Sequence, residues 1–181
     1  MESRLTQNES RSQKSSFEAN LAGYAAAFLR IFLGVGFLSA VADRFGIWGP
    51  PGAHLVAWGN FHNFLRYTAM LNPWFPHSWI PAVGWVATIC EAALGIALLV
   101  GFRIRAVAFC SGVLTLGFAV GMICGLGVKA PLNYSVFVVS AAAFVLANQR
   151  SDPWSADFWV LRRRILPERV AAPRPILARA A

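Results

Sequence analysis

The chain has 181 residues, of which 57% are hydrophobic and only 13% charged, against roughly 25% charged in a typical soluble domain. That balance excludes a free cytosolic enzyme, whose surface needs more polar groups than this sequence supplies. Sixteen Lys and Arg against eight Asp and Glu give a net charge of +8, but the basic residues gather at the ends and in one interior turn. No nucleic-acid-binding module accompanies them, so no nucleic-acid partner is expected.

Residues 1–20 form a polar arm, MESRLTQNESRSQKSSFEAN. A mostly polar start followed by a run long enough to span does not read as a cleavable signal peptide. The first apolar run, Leu21–Val41, is interrupted only by Arg30 and reaches about 30 Å as a helix, one hydrocarbon thickness. The connection that follows is long and aromatic, with Trp48, Trp58, Phe61, Phe64, Tyr67, Trp74 and Phe75 and turn signals at Gly49-Pro50-Pro51-Gly52 and Pro73. Its stretch His54–Leu71 has apolar residues at three- and four-residue spacing. One or two short helices at the outer interface are expected there, as an aromatic belt or as a cap over an intramembrane pocket.

The second span is expected at Trp79–Val100, with Pro81 suited to its first turn and Glu91 as its single charge. The third, about Ala106–Val128, has no charge. The fourth, Pro131–Ala147, is at the lower length limit for a crossing. The fold class expected is therefore all-α: a four-transmembrane-helix bundle with a long outer loop between helices one and two. It divides into a polar cytoplasmic arm (1–20), a membrane domain (21–147) and a basic cytoplasmic tail (148–181). With both termini inside, the arm, the 103–105 turn and the tail hold twelve basic residues, and the opposite side holds only Arg44, Arg66 and Lys129. The excess of cytoplasmic Lys and Arg predicts N-in, C-in.

Cys90, Cys110 and Cys124 lie inside apolar runs without a C-x-x-C pair, which predicts packing residues rather than disulfides or a dithiol centre. His54, His62 and His77 are irregularly spaced, and no metal site is expected. No phosphate loop, dinucleotide fingerprint or haem motif is present, so any redox chemistry needs a quinone or another organic cofactor from outside.

Arg30 and Glu91 are the charges placed deepest in the spans. Each lies about 14 Å from the cytoplasmic end of its run, which predicts that they face one another at a common depth. An intramembrane ionisable residue points to a functional site, although a pair that only locks the helices fits the same pattern. Gly34 and Gly95, each four residues further along the same helical face, give close helix contact or room for a flat ligand. Asp43 and Arg44, at the outer end of the first span, fit a solvated pair or a pocket mouth. Asn133 and Tyr134 are placed to line the outer half of a cavity or to bond across the bundle.

These residues together resemble the DoxX family of small bacterial four-span membrane proteins. The resemblance rests on Arg30-x-x-x-Gly34-x-x-Phe37, followed by Val41 and Arg44 at the end of the first span. Glu91-x-x-x-Gly95 in the second span and the turn Gly101-Phe102-Arg103 complete it. It implies a multi-pass protein of the cell inner membrane, related to proteins associated with thiosulfate:quinone oxidation or with oxidative-stress complexes. The function expected is an accessory or redox-associated subunit that binds a quinone or lipid between helices one and two. Its site residues would be Arg30, Gly34, Glu91, Gly95 and Asn133, with a membrane or peripheral protein partner, no covalently bound cofactor and no catalytic residue assigned. A structural or assembly module and a thiosulfate:quinone oxidoreductase component are the alternatives.

Overall fold

The computed structural model describes residues 2–149, so nearly all of the expected basic tail lies outside them. Every regular element among the described residues is helical. Helix α1 runs from Glu2 to Arg44, α2 from Phe61 to Leu71, α3 from Ile80 to Val100 and α4 from Ile104 to Leu126. Two shorter helices follow, α5 (Lys129–Asn133) and α6 (Val136–Asn148), and a 3-10 turn at His77–Trp79 leads into α3.

Helix α1 has 43 residues, about 65 Å, roughly twice a hydrocarbon thickness. The polar arm is its first half. No Gly or Pro occurs between Glu2 and Ala22, and the Glu, Gln, Lys, Arg and Leu there are good helix formers, so nothing interrupts the helix on the polar side. Helix α3 carries its Pro near the N-terminus and stops at Gly101, whose φ of +75° only glycine adopts at no cost. The Gly101 N–H bonds to the carbonyls of Ala97 and Leu98, and the Phe102 N–H bonds to Ala97. This closes the helix end.

Three helices are long and apolar enough to cross a bilayer: Ser10–Arg44 of α1, His77–Val100 and Ile104–Leu126. The fourth expected span is not one helix. Ser135 takes the left-handed conformation, with φ +54°, and divides the segment into α5 and α6.

Helix α1 packs on α3, α3 on α4, α4 on α6, and α6 back on α1. Their shared core holds Leu33, Phe37, Leu98, Ala108, Ala143 and Leu146. Two crossings depend on missing side chains. A Cβ on Gly34 would lie 2.9 Å from the Gly95 carbonyl oxygen, and one on Gly112 would lie 2.7 Å from the Phe144 ring. The Ser140 hydroxyl reinforces the second crossing by donating to the Gly112 carbonyl at 2.8 Å. The outer faces are apolar, with Phe28, Ile89, Phe109 and Val138 all more than half exposed. On a helix already saturated in backbone hydrogen bonds, such faces suit lipid.

Within His54–Leu71 one helix forms, not two. It starts only at Phe61, because Gly59, with φ +66°, turns the backbone tightly against Pro50 and Pro51. Asn60 caps it by accepting from the Asn63 N–H at 2.8 Å. Helix α2 then lies on α3 and α4, with Leu65 over Gly84 and the Met70 backbone over Gly125.

Gly34→Leu should force α1 and α3 apart and destabilise the fold by about 1–3 kcal/mol. Gly117→Leu should be neutral, because nothing lies within 4 Å of a Cβ there. Thermal unfolding of both variants in the same detergent checks the contrast.

Candidate functional site

Sequence depth alone predicts that Arg30 meets Glu91; the structure gives Glu91 a different partner. Arg30 is buried and its Nη1 donates to the carbonyls of Leu98 and Leu99 at the end of α3, the latter at 2.9 Å. The last carbonyls of a helix carry its negative pole, so a guanidinium there is well placed. Leu98 lies seven residues beyond Glu91, about 10 Å along the helix. The expectation fails because it took both apolar runs to begin at one plane. The apolar part of α1 begins beyond the last turn of α3, which moves Arg30 level with that turn.

The partner of Glu91 is Arg44. Both are buried, and Arg44 Nη2 makes a charge contact with Glu91 Oε2. Arg44 Nη1 donates to the Thr88 hydroxyl at 2.9 Å, one turn before Glu91, and that hydroxyl donates to the Gly84 carbonyl at 2.8 Å. The guanidinium carbon sits 3.8 Å from the centre of the Phe64 ring and 5.4 Å from that of Trp58. A desolvated cation–π contact contributes about 2 kcal/mol.

Asp43 faces the connecting segment rather than solvent. It is 6% exposed, and its Oδ2 accepts from the backbone N–H groups of Ala57 and Trp58, both at 3.0 Å. The two residues at the end of α1 therefore fasten residues 57–64 over the buried acid. Sequence reasoning left them open between a solvated pair and a pocket mouth. The available signal was the ring of aromatic residues downstream, which a guanidinium can stack against.

Glu91 also lines an apolar cleft of about 520 Å³. Its walls include Leu33 and Phe37 of α1, Phe118 of α4, and Val139 and Ala142 of α6. Thr115 and Tyr134 are its other polar side chains. Tyr67 of α2 lies near Tyr134, and burial pushes its phenol above the usual value, so it stays protonated there. Gly34 and Gly95 do not open this space, since each is taken up by the opposite helix. Gly36 lines the cleft instead, with no atom within 4 Å of a Cβ. Asn133 is exposed and absent from the lining, which its neighbour Tyr134 joins. Of Arg30, Gly34, Glu91, Gly95 and Asn133, only Glu91 reaches the cleft, where it is joined by Tyr134.

No family model, curated protein or solved structure matches the chain.

Removing one partner of a buried pair strands the other charge, at a cost of about 3–5 kcal/mol. Arg44→Met should therefore unfold the protein at markedly lower denaturant, and Arg44→Met with Glu91→Leu should recover much of the loss. A double-mutant cycle should give a coupling of about 1–3 kcal/mol for Arg44 with Glu91. For Arg30 with Glu91 the effects should add to within about 0.5 kcal/mol.

Proposed function

We propose that the chain is a four-crossing inner-membrane protein of the DoxX type. In this reading it holds a quinone or lipid in the cleft between α1, α4 and α6 and acts as an accessory or redox-associated subunit beside a separately encoded partner. In this reading α6, 13 residues and about 20 Å long, makes the fourth crossing together with the short α5 before it. The distribution of Lys and Arg puts both termini on the cytoplasmic side, and residues 45–79 then lie on the outer side. The observation that carries the reading is a 520 Å³ apolar cleft with one buried carboxylate in its lining. Such a site suits a molecule with a hydrocarbon body and a small polar head.

A second reading, a structural or assembly module, is favoured by the way Arg44 is enclosed. Its guanidinium is held by Glu91, Thr88, Phe64 and Trp58, and that arrangement stabilises the outer segment without any ligand. The two readings separate at the cleft.

Native mass spectrometry of gently purified protein should find a retained quinone-class or lipid molecule. Gly36→Phe, which fills open space, should lose it while keeping the same Tm. Retention by both proteins, or by neither, would leave the structural reading. For topology, a cysteine introduced at Asn72 should react with an impermeant reagent from the outer side only, and a tag at Met1 should be reached from the cytoplasmic side only.

A further inference from the structure

The polar atoms facing the cleft have a common chemistry. Glu91 brings a carboxylate whose Oε2 is occupied by Arg44, which leaves Oε1 as an acceptor for an occupant. Thr115 brings a hydroxyl whose single proton is directed to the Ser111 and Gly112 carbonyls, at 2.9 and 3.1 Å, so only its lone pairs are left. As the carboxylate of its ion pair with Arg44, Glu91 only accepts, and Thr115 has no second proton to give. The lining contains no Lys, Arg, His, Asn or Gln. Tyr134 is 72% exposed, and its phenol can donate or accept.

We propose that the cleft selects an amphiphile whose head donates a hydrogen bond through a neutral hydroxyl, as in a phenol, a hydroquinone or a lipid alcohol. The assignment rests on the reading of the cleft as a ligand site and narrows the class of molecule it takes. A head that only accepts, such as an ether or the oxidised form of a quinone, places its oxygens against Glu91 and Thr115 and leaves buried acceptors unpaired, so within the quinone class the cleft favours the reduced, hydroxyl-bearing form. An ammonium head meets a carboxylate already neutralised by Arg44, so its charge finds no balance in an apolar cleft. A hydroxyl satisfies both constraints. It donates to Glu91 Oε1 or to Thr115 and brings no charge.

The test compares matched probes on the full chain in nanodiscs: 4-decylphenol, its methyl ether, decan-1-ol and decylammonium, by equilibrium binding. The phenol or the alkanol should bind roughly tenfold more tightly than the ether, the factor expected for one well-placed hydrogen bond. Whether phenol or alkanol binds better distinguishes a hydroquinone-type ligand from a lipid alcohol. Thr115→Val, which keeps the side-chain volume, should reduce the preference for hydroxyl over ether, and Gly36→Phe should abolish binding of every probe. Equal binding of phenol, alkanol and ether, all lost in Gly36→Phe, would overturn the donor assignment and leave the cleft as a ligand site. Tightest binding of decylammonium would also overturn it. No saturable binding, or binding unaffected by Gly36→Phe, would overturn both.

Discussion

A charge placed within an apolar helix must be met by an opposite charge or by hydrogen bonds, because hydrocarbon offers neither. In this protein the requirement is met where Arg44 reaches Glu91. The guanidinium comes from the end of α1 and the carboxylate from within α3, so their contact fixes how far one helix has slid along the other. The same guanidinium stacks on Phe64 and Trp58, and Asp43 beside it holds the backbone at residues 57 and 58. One short stretch of sequence thus sets the register of two long helices and seats the segment that joins them. It also determines which oxygen of Glu91 is left toward the cleft.

Close packing and open space divide the bundle. Glycine permits near contact where α1 crosses α3 and where α4 meets α6. Between α1 and α6 the residues facing inward are Phe, Leu, Val and Ala with a glycine at position 36, and they do not fill the gap. A cleft bounded by an α1 face rich in exposed aromatics, Phe28 and Phe32 among them, is open to the hydrocarbon side. It suits a hydrophobic molecule arriving from the bilayer better than a solute arriving from water.

Much of the architecture was legible because hydrophobic runs report helices directly. The bounds expected for the second and third spans fall within about two residues of α3 and α4, with Gly101 and Gly127 as their stops. The fourth segment was less legible. From Val136 to Ala147 only Ser140 is polar, and although Asn133-Tyr134-Ser135 interrupts the apolar run, three such residues do not by themselves specify the left-handed backbone that ends α5. The site was half legible. Glu91 announces itself as an acid in an apolar run, but its partner depends on how α1 and α3 slide against each other. Distances counted from the ends of apolar runs do not contain that information. Arg30 and Arg44 are both on α1 and both buried, and the register that packs Gly34 against Gly95 is the one in which Arg44 reaches Glu91.

Both basic side chains buried along α1 find partners on α3: Arg30 at its terminal carbonyls and Arg44 at its internal acid. During synthesis the first of these helices emerges while the second is still unmade, and each guanidinium then faces the cost of entering lipid uncompensated. The burial of α1 in the hydrocarbon therefore depends on α3, which supplies the partners of both its guanidiniums. The cationic helix is an incomplete membrane segment by itself.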